Sequence, residues 1–490
     1  MATKEQTSIA TLQPSEVWKH FYALTQIPRP SKKEKKAAEY LLEFGKNLGL
    51  KSVMDEVGNV VISKPATKGM EKCAGIILQA HIDMVPQKNG DKKHDFEKDP
   101  IEAYADGEWV KANGTTLGAD NGIGVAAAMA VLESQTIEHG PIEALITIDE
   151  ETGMTGARNL SPELLKGEIL LNLDSEDEGE LYIGCAGGMD GTFTFEYQKE
   201  DVPADFIPVK LDMTKFKGGH SGLDIHLGRA NTNKVMFRLL KILAKETDAR
   251  LASIEGGNMR NAIPREAVAV IVIPKDKEEE LKKIVANFTA TIDAEYSAVE
   301  PEFRISIEQA KKPEKIIDKK TQTALIDAIY ACPNGVIRMS DSMKGLVETS
   351  NNLAIVKSDD DKIEVKCLFR SSVNTAKIDV AEAMESIFRM AGAKVEFAGG
   401  YSGWKPNVNS PILTVMQETY KQLYEKIPEV KAIHAGLECG IFGGIYPDWD
   451  MISFGPTIRH PHSPDEKVDI ASVDKFWKFL VATLKNAPKK

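Results

Sequence analysis

The sequence predicts an α/β protein: a mostly parallel sheet covered by helices, interrupted by an inserted α+β domain. Three observations carry that prediction. From about residue 15, apolar strands alternate with helical apolar spacing. Near residue 187 the style changes to longer alternating strands separated by charged helices, and from about residue 399 the first style returns. The predicted domains are therefore 1–186 with 399–490, and an inserted domain over 187–398.

Taken in order, SEVWKHFYALTQI and SKKEKKAAEYLLEFGKNLGL carry helical spacing, and GIILQAHID reads as a buried strand. NGIGVAAAMAVLESQ is an alanine-rich helix; ALITIDEE and EILLNLDSED are apolar runs that end in acids. In parallel sheets ligands bind beyond the carboxyl ends of the strands. Within the insert, RNAIPREAVAVIVIP at 260–274 echoes SNNLAIV…KIEVKCLFR at 350–370, and an amphipathic helix follows each. The echo predicts two related modules. The last stretch supplies helix SPILTVMQETYKQLYEKI, strand MISFGP and a closing helix from Val473 to Leu484.

With 490 residues and 42% hydrophobic residues, the chain is expected to fold as more than one domain. A formal charge of −12, spread along the chain, argues against nucleic acid or an anionic membrane as partner. No stretch has the apolar length of a membrane span, and the first residues lack the apolar core of a secretory signal. Cys73, Cys185, Cys332, Cys367 and Cys439 are scattered, which predicts reduced thiols and a cytoplasmic setting.

The chemistry gathers where three apolar strands end in possible metal ligands, QAHID, TIDEE and LNLDSED. One acid after a strand is ordinarily a turn former or helix cap. Three, joined by a Gly-flanked acid and late histidines, point to a metal site. His81 and Asp83 leave one face of an extended segment, so His81 is a candidate ligand and Asp83 its orienting carboxylate. Asp120, in LGADNGIG, starts a helix and has two oxygens that could bridge two cations. Glu150 and Glu151 diverge, so that one can bind metal while the other faces a bound water. Asp149 precedes them, and three successive acids are costly to hold together without cations. Asp174 adds a carboxylate, and His460 and His462 follow strand MISFGP. Such a mixed nitrogen and oxygen set suits zinc, cobalt or manganese better than calcium or magnesium. Phosphate-loop, GxSxG and HExxH motifs are absent.

HID at 81–83, GADNGIG at 118–124, DEETGM at 149–154, NLDSED at 172–177 and HSPDE at 462–466 resemble the M20 metallopeptidases, in order and across nearly the whole chain. The resemblance is to their aminoacyl-histidine dipeptidase branch. It implies a zinc-peptidase-like catalytic domain with an inserted lid, and two zinc ions, with cobalt or manganese as substitutes. It further implies one ion on His81 and Asp174, a second on Glu151 and His462, Asp120 bridging, Asp83 orienting His81 and Glu150 as general base. KGGHSG, NAIP and CLFR resemble lid segments, so His220, Asn261 and Arg370 are implied substrate contacts, His220 for the oxyanion and Arg370 for the free carboxylate. HAGLECG makes Glu438 an implied contact to the substrate's amino end. The implied activity is hydrolysis of dipeptides, Xaa-His such as carnosine among them, by a cytoplasmic enzyme that is a candidate homodimer. An N-acyl amino acid deacylase or a tripeptidase of the same fold is the nearest rival, and a non-catalytic metal-binding protein the rival of another class.

Overall fold

The computed structural model describes residues 8–489. The chain forms two compact units: one runs to Gly184 and adds Pro406–Ala432 and Leu437 onward, the other holds Cys185–Lys405 with Ile433–Gly436. These limits lie a few residues outside the boundaries expected at 187 and 398. The cause is local pairing inside the insert: Cys185 and Trp404 exchange backbone hydrogen bonds of 3.0 Å, and the Ala186 N–H reaches the carbonyls of Ile433 and Ala435.

The first unit is built on an eight-stranded sheet. Its central strands, Ile142–Thr147, Ile76–His81, Ile169–Asn172 and Asp450–Ser453, are parallel neighbours in that order. Antiparallel strands Val60–Lys64 and Lys51–Met54 extend one side, and Glu180–Cys185 meets Asp450–Ser453 antiparallel on the other. The parallel character is thus concentrated at the centre, where the strands are almost wholly buried and need no polar alternation. Register pairs His81 with Thr147 and Gln79 with Asn172, so the residues that follow these strands emerge along one sheet edge.

Helix Ala119–Glu133 is buried from Ala119 to Leu132, which its run of alanines and glycines permits. It packs on helix Ser15–Thr25. A Cβ at Gly122 would sit 2.9 Å from the Phe21 ring, so only glycine admits this approach. A small second sheet pairs Ile458–Arg459 with Lys467–Asp469, and the loop between them carries His462.

The inserted unit holds one nine-stranded sheet, in which two β-α-β-β-α-β modules supply eight strands and Gly335–Met339, paired with Val347–Ser358, is the ninth. The first uses strands Phe206–Thr214, Arg250–Gly256, Ala267–Pro274 and Arg304–Gln309, with helices Thr232–Glu246 and Glu278–Tyr296. The second uses Gly187–Glu196, Val347–Ser358, Lys362–Ser371 and Lys394–Ala398, with helices Lys319–Ala331 and Asn374–Met390. In both, the third strand lies between the first and second, and the fourth flanks the first; the modules join through their second strands. The echo in the sequence is this duplication, with the first module nested inside the second. Phe193 stacked on Phe388 at 4.1 Å belongs to the core behind that sheet.

A candidate metal centre and a cluster of donors

Where the central strands end, seven of the residues singled out in the sequence come together. His81, the last residue of its strand, is buried, and its Nδ1 lies 3.3 Å from Asp83 Oδ1. Its Nε2 faces Asp120 Oδ1 at 3.2 Å and Asp174 Oδ1 at 3.3 Å. The other Asp120 oxygen, Oδ2, lies 3.2 Å from His462 Nε2, which is 2.9 Å from Glu151 Oε2. Two ligand triads result, His81–Asp120–Asp174 and Asp120–Glu151–His462, and they share Asp120. His460 is exposed and belongs to neither.

Asp83 does more than hold His81. Its carboxylate accepts the N–H groups of Glu150 at 3.0 Å and Glu151 at 3.3 Å, and the Ser31 hydroxyl at 2.8 Å. The 149–151 turn is thereby tied to the strand that carries His81. Asp149 is not a third acid of the centre. It takes a left-handed conformation with φ +51, gives its N–H to Glu34 Oε1, and accepts the hydroxyls of Thr152 and Thr155. The cost foreseen for three adjacent acids is met in part by these bonds, and the burden on cations falls on Glu150, Glu151 and their neighbours.

The electrostatics call for positive charge. Hydrogen bonds to Asp120 and Glu151 push His462 up to about 11. Burial opposes charge at His81, but the Asp174, Asp120 and Asp83 carboxylates outweigh it and hold its pKa well above the usual value. Burial raises Glu150 well above the carboxylate range and Asp174 to about 6, each with help from neighbouring acids. Glu151 Oε1 is buried and lacks a hydrogen-bond partner, and Asp174 Oδ1, though 3.3 Å from His81 Nε2, makes no hydrogen bond. Orphaned carboxylate oxygens beside two imidazoles, in triads that share one carboxylate, fit a pair of divalent ions with mixed nitrogen and oxygen coordination.

Beneath the ligands lies a layer of buried polar side chains. Gln79 Nε2 and the Thr147 hydroxyl both donate to Glu438 Oε2, at 2.7 and 2.8 Å. Asn172 donates to Gln79, and the Ser453 hydroxyl donates to Asn172. Each central strand contributes one member. Glu438 is 1% exposed; burial pushes it up to about 8, and its Oε1 has no partner. A polar residue inside an apolar strand, as in IILQAH and ILLN, is the sequence signal for this layer.

The remaining three candidates lie in the inserted unit. Arg370 is 6% exposed, and its Nε reaches Ser221 Oγ at 3.3 Å. Among the described residues it forms no ion pair. His220 Nδ1 accepts the N–H groups of Gly222 and Leu223 at 3.1 and 3.0 Å, which leaves the proton on Nε2. Ser221 N–H bonds to the Asn261 carbonyl, and the Asn261 side chain is exposed. His434 joins this group unforeseen: its Nε2 lies 2.7 Å from the Ser350 hydroxyl, and its Nδ1 is buried without a partner.

Peptidase family M20/M25/M40 matches this chain over residues 77–486. The cytosol non-specific dipeptidase of Escherichia coli (strain K12) is 47% identical over 484 residues, which cover 99% of this chain and 100% of that protein. The crystal structure of aminoacylhistidine dipeptidase from Vibrio alginolyticus superposes with a TM-score of 0.96 at 48% identity, covering 99% of each chain. An aminopeptidase from Bacillus cereus and a tripeptidase from Staphylococcus aureus share the fold, with TM-scores of 0.57 and 0.55 at 16% identity. Each covers 97% of this chain, and 99% and 98% of those chains respectively.

Proposed function

This chain belongs to peptidase family M20/M25/M40, and from that premise we propose that it hydrolyses dipeptides, Xaa-His such as carnosine within a broader set, using two zinc ions and Glu150 as general base. The observation that carries the reading is Asp120, with one oxygen turned to His81 and the other to His462. His81 and Asp174 would hold one ion, Glu151 and His462 the other, with Asp120 between them. Bound there, the ions supply a water acidified toward neutrality and an electrophilic pole for the scissile carbonyl.

The chain's own groups do the rest. Asp83 fixes the tautomer of His81 and holds Glu150 by its backbone N–H, which aims that carboxylate. Glu150 takes the proton of the attacking water and returns it to the leaving amine. His220, protonated at Nε2, is suited to donate to the developing oxyanion. Arg370, buried without a carboxylate of its own among the described residues, is suited to the free carboxylate of the substrate, with Asn261, whose carbonyl accepts the Ser221 N–H, as a further contact. Glu438 Oε1 is the oxygen proposed for the substrate's amino end. The dipeptidase names of the two relatives support this reading over a deacylase, which needs no free amine on its substrate.

The buried cysteines and the name of the Escherichia coli relative support a cytoplasmic setting. A homodimer is proposed on family resemblance and is tested by sedimentation. The activity is tested by ninhydrin-detected cleavage of carnosine, Gly-His, Ala-Ala, Ala-Ala-Ala and an N-acetyl amino acid, with zinc, with manganese and with chelator. Chelator-sensitive cleavage of dipeptides alone is the expected result. Cleavage of only the acetylated compound would leave the metal centre standing and remove the dipeptidase reading.

A further inference from the structure

Two buried ions of opposite sign lie against the loop that carries Asp120, and neither is a candidate metal ligand. Glu466 is 2% exposed, and its carboxylate accepts four consecutive backbone N–H groups. Leu117 and Gly118 donate to Oε2 at 2.7 and 3.0 Å; Ala119 and Asp120 donate to Oε1 at 2.7 and 3.3 Å. Four N–H groups converging on one carboxylate form an anion nest, made possible by the left-handed Gly118 at φ +69. Glu466 stands four residues after His462 in the same hairpin loop, so this nest fastens the His462 loop to the Asp120 loop.

Arg29 is 1% exposed and works from the other side. Its Nη2 donates to the Gly118 carbonyl at 2.6 Å, and its Nη1 donates to the carbonyls of Ile82 at 2.7 Å and Asp83 at 3.3 Å. It therefore fastens the same Asp120 loop to the segment that follows His81. A Cβ at Gly118 would come within 2.6 Å of the guanidinium, so the glycine serves both contacts.

We propose that Arg29 and Glu466 are positioning residues that clip the loops of His81, Asp120 and His462 together and so set the affinity of the metal pair, the ion at Glu151 and His462 most of all. That ion depends most on the clip because the His462 side chain is half-exposed. The inference rests on the two-metal reading above. Removal of a group that orients a ligand typically weakens metal binding about 10–100-fold. Glu466→Gln is the sharper variant. Its amide matches Glu466 in shape, but its NH2 must face two N–H donors, so only half of the nest survives.

The test measures metal per chain after gel filtration, and the melting temperature of metal-loaded and chelated protein side by side. Wild type is expected to keep two ions, and Glu466→Gln about one, with the weaker dissociation constant raised tenfold or more. A residue that only stabilises the fold lowers both melting temperatures equally. A positioning residue narrows the gap between them, because the gap reports metal affinity. If Glu466→Gln keeps two ions and the full gap, the clip is overturned. If wild type binds no metal, the reading of the centre itself is overturned. Should Glu466→Gln fail to fold, Arg29→Lys carries the same test, since one ammonium cannot serve both the Gly118 carbonyl and those of residues 82 and 83.

Discussion

At the metal centre Asp83, Asp120, Glu150, Glu151 and Asp174 crowd the imidazoles of His81 and His462. In the inserted unit Arg370 lies buried with Ser221, and His434 lies on Ser350, while His220 keeps its free proton on Nε2. The first cluster has acceptors in excess, and the second has donors in excess. Burial makes both imbalances costly, so each cluster indicates the charge of what it lacks. On the proposed reading, cations would complete the first and the carboxylate of a substrate the second. On the same reading the two clusters divide two tasks, holding the reacting water and holding the substrate.

The largest effect should come from breaking the first cluster at its shared member. Asp120→Ala removes a ligand from both triads, so metal per chain and turnover should fall to background together, as read by elemental analysis and the dipeptide assay. Glu150→Ala should separate those two readouts. Metal content stays at the wild-type level while turnover falls about 10²–10⁴-fold, the usual worth of a general acid–base group. Substantial residual turnover would remove Glu150 from that role. In the second cluster the effect should be smaller and of another kind. A hydrogen bond to a charged group is worth about 1.5–3 kcal/mol, so Arg370→Ala should lower kcat/KM about 10–150-fold, chiefly through KM. A dipeptide whose carboxyl end is amidated should show almost no further loss in that variant. Equal loss on both substrates would mean that Arg370 does not read the carboxylate.

The first cluster was the more legible in the sequence, for a physical reason. Parallel strands of similar length bring their carboxyl ends to one edge, so acids placed just after apolar runs, as in QAHID, TIDEE and LNLDSED, must meet. What escaped are groups whose partners lie far along the chain. Gln79 and Asn172 look like blemishes in apolar strands until the register sets them side by side. Arg29 meets Gly118 across 89 residues, and Glu466 meets Leu117 across 349, so no local pattern announces either. Glu466 ends the motif HSPDE, but its four backbone donors lie at 117–120, far from that motif. In the insert, the internal echo revealed the duplication, yet the order of the nine strands depends on pairings that periodicity does not encode. Nothing local marks His434 within HAGLECG, because its partner Ser350 lies 84 residues away on strand Val347–Ser358.

His434 offers the finest test of the comparison, since an excess of donors should make the second cluster sensitive to acid. Burial lowers its pKa from 6.5 to about 3, and Arg370, His220 and His226 add repulsion. Folded His434 thus stays neutral where the unfolded chain would take up a proton. The unfolded state binds more protons below pH 6.5, so stability is fully present above that value and declines as pH falls toward 3. Chelated protein unfolded by urea at pH 7 and at pH 5 should show the loss, free of competition between protons and metal. His20 in the first unit, lowered to about 4 by burial, drifts in the same direction and must be held constant. The comparison is therefore wild type against His434→Gln, which cannot titrate. The variant should lose less stability between the two pH values, and only a modest part of the whole. An identical loss in both proteins would mean that His434 takes up its proton without cost, and that the donor cluster is less starved of negative charge than its contacts imply.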